Sequence, residues 1–191
     1  MSRPVPTWAW LAAGGLGLLL LGGKGAQRYV QSGSAAQALD PFSDTRWTWG
    51  RPDGRDPWGN VISRDPSQVL PALADKVERI IRRLRGRGFD AVVAEGYRTP
   101  ARARALDAKG TGVSKSLHSY NGAVDIVDRK LAWGASEAFK NAVVEEVERE
   151  GLMSGRRFST KDDWAHAQAV FPAQTAAFIN ASLEQRNRMV A

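Results

Sequence analysis

S-L-H-S-Y-N-G-A-V-D-I-V, residues 116–127, joins a polar loop to a short apolar run. The run 123–127 is apolar except for Asp125, and its composition predicts a short buried strand. A carboxylate in such a strand is costly unless it binds a cation or is fully hydrogen-bonded. The stretch therefore indicates a core strand and marks Asp125, together with nearby His118, as a candidate for chemistry.

The second histidine of the chain lies in D-D-W-A-H-A-Q, residues 162–168, and the sequence holds only two. Two imidazoles and one carboxylate are a common ligand set of catalytic zinc, with a fourth position left for water. Zinc lowers the pKa of that water to about 7. His118, Asp125 and His166 are thus candidate zinc ligands; the alternative is a loop histidine, a core histidine and a capping or ion-paired carboxylate.

A zinc site that activates water also needs a general base that is not itself a ligand. Asp163 precedes His166 by three residues, so a helical turn or a tight bend would place both side chains on one side. Asp162 and Asp128 are the alternative bases.

The surrounding pattern predicts helices and short strands in mixed order, which is typical of an α+β domain. Ser67 is a plausible N-cap for a first helix that ends at the glycines 86 and 88. The remaining predicted elements are a strand at 89–94, a helix at 100–109, a strand at 123–127, a helix at 136–150, a strand or loop at 158–169 and a last helix at 172–188.

Composition narrows the possible chemistry. The 191 residues include no cysteine, which excludes disulfides, thiolate zinc sites, iron–sulfur clusters and a cysteine nucleophile. Lys and Arg number 27 against 20 Asp and Glu, so the formal net charge is +7. Such a charge suits nucleic acid, an anionic membrane or an acidic wall polymer. The basic run 79–87 is either the solvated face of a helix or an anion-binding patch.

The N-terminus predicts a membrane segment. Residues 4–23 carry no charge, and roughly 20 apolar residues can cross a bilayer as a helix. We expect an uncleaved membrane-anchor helix within residues 1–23; a cleaved signal peptide, with A-Q-A at 36–38 as its site, and a merely hydrophobic tail are the alternatives. Residues 24–66 form a linker and an irregular lead-in, and residues 67–191 form the domain.

The lead-in carries Trp47, Trp49 and Trp58 between turn signals. They predict a loop packed over the core, or alternatively a platform for stacking on sugars.

The motifs together resemble a known family. E-G-Y-R-T-P at 95–100, S-x-H-x(6)-D at 116–125 and D-x-x-H at 163–166 are similar, in order, to motifs of the zinc peptidases that include D-alanyl-D-alanine carboxypeptidases and phage L-alanyl-D-glutamate endolysins. The resemblance spans roughly residues 66–180. It implies a small antiparallel sheet flanked by helices around a Zn²⁺ site.

The same resemblance implies roles for particular residues. His118, Asp125 and His166 would be the zinc ligands, and Asp163 the acid and base that activates water. Arg98 would steady the carbonyl oxygen of the substrate as it becomes an oxyanion.

Three further positions bear on the site. Ser116 is expected to support the site or the substrate, with a purely structural role as the alternative, and Gln168 to be a hydrogen-bond partner of a ligand. The family often has glycine three residues after its first histidine, where this chain has Asn121. Asparagine tolerates the left-handed conformation that such a glycine adopts.

The function expected from this resemblance is cleavage of peptidoglycan stem peptides by a zinc peptidase of D,D- or L-alanyl-D-glutamate type. The enzyme would be tethered to a membrane on its extracytoplasmic side, or carried in a phage virion, with virion or lysis proteins as partners. A non-catalytic wall-binding or structural virion protein that retains the fold is the second hypothesis. A nucleic-acid-binding protein is the third, and it rests on charge alone.

Overall fold

The computed structural model describes residues 49, 54–55, 61–159 and 161–191. Within them the strands are β1 (Gly54–Arg55), β2 (Val61–Ile62), β3 (Ala91–Glu95), β4 (Ala123–Asp128), β5 (Met153–Gly155) and β6 (Asp163–Gln168). The α-helices are α1 (Pro71–Gly86), α2 (Pro100–Ala108), α3 (Glu137–Arg149), α4 (Thr175–Asn180) and α5 (Leu183–Val190).

The expected membrane anchor at 1–23 lies outside the described residues, as does most of the lead-in at 24–66. Among the residues that are described, none of the helices combines the length and the apolar character needed to cross a bilayer.

Four strands form one antiparallel sheet in the order β3-β4-β6-β5. Helices and a small antiparallel sheet were predicted, and this part of the α+β fold is confirmed. The register places Glu95 opposite Asp125, and Asp125 opposite His166. Three polar residues therefore form one row across β3, β4 and β6, in a sheet whose other residues in these strands are mostly buried and apolar.

Helix α1 covers the sheet with an apolar stripe at helical spacing, as predicted. Its buried residues are Leu73, Val77, Ile80, Ile81 and Leu84. The predicted start at Ser67 is wrong, because residues 66–68 form a separate 3₁₀ turn in which Asp65 accepts a hydrogen bond from the backbone N–H of Ser67. The helix begins at Pro71, whose missing N–H and preset φ suit a first helical position.

The basic run at 79–87 lies on α1 and at its C-terminal end, and three of its five arginines pair with glutamates of α3 or with the glutamate that follows it. Arg83 lies 2.6 Å from both Glu146 and Glu150, and Arg87 lies 3.0 Å from Glu145 and Glu146. Arg79 joins Glu150 at 2.8 Å. These contacts favour the helix-face interpretation over an anion-binding patch, since three of the arginines are already paired with glutamates.

The predicted single helix at 172–188 is wrong. The chain forms a 3₁₀ turn at 172–174 and then two short helices, α4 and α5, separated at Ala181 and Ser182. Ser182 starts the second helix: its side chain accepts the N–H of Gln185, and the side chain of Gln185 accepts the N–H of Ser182. This reciprocal cap competes with a continuous helix.

Trp49 is packed against the domain, as the core-packing interpretation of the lead-in predicted. The residue is 4% exposed, and its indole N–H donates to Glu78 at 2.7 Å. Trp47 and Trp58 lie outside the described residues.

Candidate metal centre

The three candidate ligands from two distant motifs meet at one point of the sheet. Nε2 of His118, Oδ1 of Asp125 and Nδ1 of His166 form a triangle: the two nitrogens are 3.2 Å apart, and they lie 3.3 Å and 3.2 Å from the oxygen. All three residues are buried. The structure thus brings together every residue that was expected to bind zinc.

The dimensions of this triangle fit zinc. With bonds of about 2.0–2.1 Å in a tetrahedral arrangement, two ligand atoms are separated by about 3.3–3.4 Å. The observed edges are 3.2–3.3 Å, so one ion can reach all three atoms and keep a fourth position.

The hydrogen bonds behind the two rings turn their lone pairs towards the same space. Nδ1 of His118 donates to the carbonyl oxygen of Gly96 at 2.6 Å. Nε2 of His166 donates to Oε1 of Gln168 at 3.1 Å, and the amide of Gln168 is oriented by its own donation to the carbonyl of Val170 at 2.7 Å. Each neutral ring therefore uses its only N–H group in this hydrogen bond, and its other nitrogen carries a lone pair.

Three hydrogen-bond acceptors therefore face one another with no donor between them when both rings are neutral. Buried acceptors in this arrangement are unfavourable unless a cation or a proton lies among them. The donor set thus fits a divalent metal, and Gln168 takes the supporting position behind a ligand that the sequence suggested for it.

Charges around the triangle favour an ionised carboxylate. Burial alone would raise the pKa of Asp125, but His118 and His166 outweigh burial and hold that pKa well below its usual range. Burial lowers the pKa of His166, whereas the hydrogen bond and charge of Asp125, and the charge of Asp163, raise it overall. The ligand carboxylate is ready to bind a cation.

The loop before β4 explains how His118 reaches the triangle. Residues 117–120 form a 3₁₀ turn that ends at Asn121 in the left-handed region, with φ of 63°. Asparagine therefore adopts the left-handed conformation that was expected of it. The next residue, Gly122, has to lack a side chain, because a Cβ there would lie 2.5 Å from the buried ring of Phe178.

Asp163 lies beside His166, but the local structure is a strand rather than the predicted helical turn or tight bend. Both residues belong to β6, where positions three apart would ordinarily face opposite sides. The pairing of β5 with β6 shifts register between Ser154 and Gly155. At that irregularity, a Cβ on Gly155 would lie 2.8 Å from Cβ of His166 and 3.0 Å from Cβ of Asp163, so both side chains surround the same gap.

The carboxylate of Asp163 forms an ion pair with Lys161 at 2.9 Å. The two alternative bases are engaged elsewhere. Asp162 pairs with Arg156 at 3.2 Å, and Asp128 accepts the backbone N–H groups of Lys130 and Leu131 in a turn after β4. Of the three candidates, Asp163 is the one that the structure places beside a ligand.

Arg98 lies at the edge of the triangle. Its Nη2 is 3.5 Å from Oδ2 of Asp125, and its Nη1 is 3.5 Å from Oγ of Ser116. Burial tends to lower the pKa of Arg98, but the charge and hydrogen bonds of Glu95 raise it overall, so the guanidinium stays positive. Arg98 therefore borders the candidate metal site, and Ser116 lies beside Arg98.

Sequence reasoning assigned no role to Glu95, Arg102 or Gly155. Glu95 is 4% exposed and accepts hydrogen bonds from both Arg98 and Arg102. The signal that could have identified it is a carboxylate that follows an apolar strand and precedes arginines by three and seven residues. Gly155 offered no such signal, because its importance comes from strand pairing.

No protein-family model and no curated protein sequence matches the chain. Solved structures do match parts of it. An L-Ala D-Glu endopeptidase, ChiX of Serratia marcescens, aligns at 27% identity and a TM-score of 0.42, over 58% of this chain and 86% of its own. The vancomycin-resistance D,D-pentapeptidase VanY, as a variant in complex with Zn(II), aligns at 16% identity and a TM-score of 0.43, over 62% and 83% of the two chains.

The LD-carboxypeptidase LdcB, whose structure is described in terms of peptidoglycan recognition, aligns at 15% identity and a TM-score of 0.41, over 64% of this chain and 70% of its own. Each of the three matched structures is named as a peptidase.

Proposed function

We propose that this chain is a zinc-dependent peptidase that hydrolyses amide bonds in the stem peptides of peptidoglycan. The observation that carries the proposal is the buried triangle of His118, Asp125 and His166, whose three acceptor atoms lie 3.2–3.3 Å apart. Asp163 and Arg98 border that triangle, so it combines a cation site with a candidate base and a fixed positive charge.

When bound to these ligands, zinc would supply Lewis acidity and lower the pKa of a water molecule to about 7. Asp163 takes a proton from the attacking water and delivers it to the nitrogen of the leaving amine. A C–O bond forms, the amide C–N bond breaks, and the products are a carboxylate and an amine. Arg98 donates hydrogen bonds to the carbonyl oxygen as negative charge develops there, and Ser116 supports that end of the substrate.

The substrate class follows from the motifs rather than from the metal geometry. The three motifs resemble enzymes that act on D,D- or L-alanyl-D-glutamate bonds. The net charge of +7 favours association with an anionic wall polymer. An apolar segment at 1–23 would hold the domain at a membrane on the extracytoplasmic side, as in a phage lysis enzyme or a bacterial envelope enzyme; carriage in a virion is the other arrangement.

The test uses the full purified chain. Bound zinc is measured by elemental analysis, and the protein is then incubated with purified peptidoglycan while released fragments are read by mass spectrometry. We expect about one zinc per chain and new stem-peptide ends, which identify the bond that is cut. A chelator should abolish cleavage, and added Zn²⁺ should restore it.

Two outcomes contradict the proposal in different ways. Zinc without cleavage would support a non-catalytic wall-binding or structural virion protein. A chain that binds no zinc at micromolar metal would overturn the assignment of the ligands themselves.

A further inference from the structure

Glu95 is a buried carboxylate held between two guanidinium groups at the end of β3. Arg98 approaches it with Nε at 3.1 Å from Oε1 and Nη2 at 2.6 Å from Oε2. Arg102, in the first turn of α2, approaches with Nε at 2.9 Å from Oε1 and Nη2 at 3.3 Å from Oε2. Two guanidinium groups thus each donate two hydrogen bonds to one carboxylate.

The position of this cluster connects it to the candidate metal centre. Glu95 is the strand partner of Asp125 in the row across the sheet, and Arg98 contacts both carboxylates. Arg98 is 9% exposed and Arg102 is 6% exposed. Burial of three charged groups is costly, and a simple packing role for these positions would be met more cheaply by apolar residues.

The hydrogen bonds to Glu95 determine which donors Arg98 has left. Its Nε and Nη2 are directed at Glu95, whereas its Nη1 lies at the long distance of 3.5 Å from Oγ of Ser116. Because the guanidinium is planar and rigid, fixing one edge also fixes the direction of Nη1.

Arg102 helps to hold the carboxylate that anchors Arg98. Its Nε and Nη2 donate to the two oxygens of Glu95, and its place in α2 ties that carboxylate to a helix. Glu95 is therefore fixed from the helix as well as from the loop that carries Arg98.

We infer that Glu95 is a positioning residue, which fixes the guanidinium of Arg98 with Nη1 directed at the substrate carbonyl, and that Arg102 helps to hold Glu95 in place. The inference rests on the proposed function for its catalytic consequence. Its structural part, an anchored Arg98, stands on the geometry alone.

The kinetic test compares Glu95→Gln with the wild-type full chain loaded with zinc. We expect kcat to fall about 10- to 100-fold with KM within about twofold, because the lost interaction serves the transition state. Zinc content should be unchanged. The control is Glu184→Gln, which removes an exposed carboxylate paired with Arg188 and should leave kcat unchanged.

A double-mutant comparison separates positioning from a general structural effect. In an Arg98→Ala background, Glu95→Gln should change kcat by less than about twofold, because its effect passes through Arg98. An equal loss of kcat in both backgrounds, or no loss in the wild-type background, overturns the inference.

A second measurement needs no substitution at Glu95 and no activity. In ¹⁵N-labelled wild-type protein, the Nε–H of Arg98, identified by the loss of its signal in Arg98→Lys, should exchange with solvent far more slowly than that of exposed Arg82. Equally fast exchange overturns the anchoring. Absence of cleavage by the zinc-loaded wild type overturns the proposed function instead, and is recorded before any variant is compared.

Discussion

Asp125 lies directly opposite His166 in the antiparallel pairing of β4 with β6, and its Oδ1 is 3.2 Å from Nδ1 of that histidine. The two residues are separated by 41 positions in the sequence, yet strand register alone makes them neighbours. Because cross-strand partners have Cβ atoms about 4.5–5.5 Å apart, this register provides two ligands of a compact metal site. His118 completes it from the preceding turn.

The clearest test of the assigned roles separates metal binding from proton transfer. His166→Ala should lose both zinc and activity, since a ligand is removed. Asp163→Ala should keep zinc and lose activity by at least about 100-fold, the usual contribution of a general base. Zinc content and the rate of stem-peptide release are measured on the same samples.

Asp162→Ala is the matched control for Asp163→Ala. Its carboxylate pairs with Arg156 on the surface, so zinc and turnover should both stay near wild-type levels. Near-normal turnover in Asp163→Ala would contradict the role given to Asp163 and would direct attention to Asp162 or Asp128.

The support behind His166 gives a second prediction. Gln168→Leu removes the acceptor for the Nε2–H of His166 and leaves that buried donor without its partner. Zinc affinity should fall about 10- to 100-fold, as is usual for partners of metal-bound histidines. Competition with a fluorescent zinc chelator measures the change. Gln174→Leu, at an exposed position on a 3₁₀ turn, should leave the affinity unchanged; an unchanged affinity in Gln168→Leu would contradict the proposed orientation of the ring.

The ligands could be predicted from the sequence because histidine is scarce in this chain and because an aspartate is unusual inside an apolar strand. The chain has two histidines, and Asp125 interrupts an apolar strand. The placement of Asp163 could not be derived correctly, because a separation of three positions brings side chains together in a helix but not in a regular strand. Asp163 and His166 become neighbours only through the irregular strand pairing at Gly155. Strand pairing depends on residues that are distant in the sequence.

Other differences have equally local reasons. The break between α4 and α5 follows no glycine or proline, so hydrophobic spacing suggested one helix; the S-x-x-Q pattern at Ser182 and Gln185 was the available signal. Glu95 was passed over because its two partners belong to the following loop and helix rather than to its own strand.

Gly155 provides a third prediction. A Cβ at this position would lie 2.4 Å from the backbone oxygen of Asp163, in addition to its close approach to Cβ of His166. Gly155→Ala should therefore separate β5 from β6, cost about 1–3 kcal/mol of unfolding free energy, and weaken zinc binding. Gly86→Ala, at the end of α1 with nothing near its Cβ position, should be neutral or slightly stabilising. Equal stability of the two variants in urea unfolding would contradict the close approach.

The turn at Asn121 provides a fourth prediction. Its φ of 63° is unfavourable for residues with a Cβ, by about 1–2 kcal/mol, and its Nδ2 also donates to the backbone oxygen of Gln68 at 2.7 Å. Asn121→Ala should lose stability through both effects, whereas Asn121→Gly should lose less, because glycine accepts the left-handed conformation. Urea unfolding of the two variants measures the order, and a Gly variant less stable than the Ala variant would contradict a cost of the left-handed conformation at this position.

The ion pairs between α1 and α3 predict a dependence of stability on pH. Burial alone would raise the pKa of Glu146, but hydrogen bonds from Arg83 and Arg87 outweigh burial and lower that pKa below its usual value. A carboxylate whose pKa is depressed by folding stabilises the protein above its unfolded pKa, and this contribution is lost as the pH falls through the folded pKa. The free energy of unfolding should therefore decline between pH 5 and pH 3, which is about the range in which an unperturbed carboxyl titrates. This decline should be steeper in the wild type than in Glu146→Gln.

At pH 7 the Glu146→Gln variant should be less stable than the wild type by about 1–3 kcal/mol. The control is Glu184→Gln, at a position with 81% side-chain exposure, which should match the wild type both at pH 7 and at pH 3. Parallel pH profiles for the wild type and Glu146→Gln would contradict the role of this network.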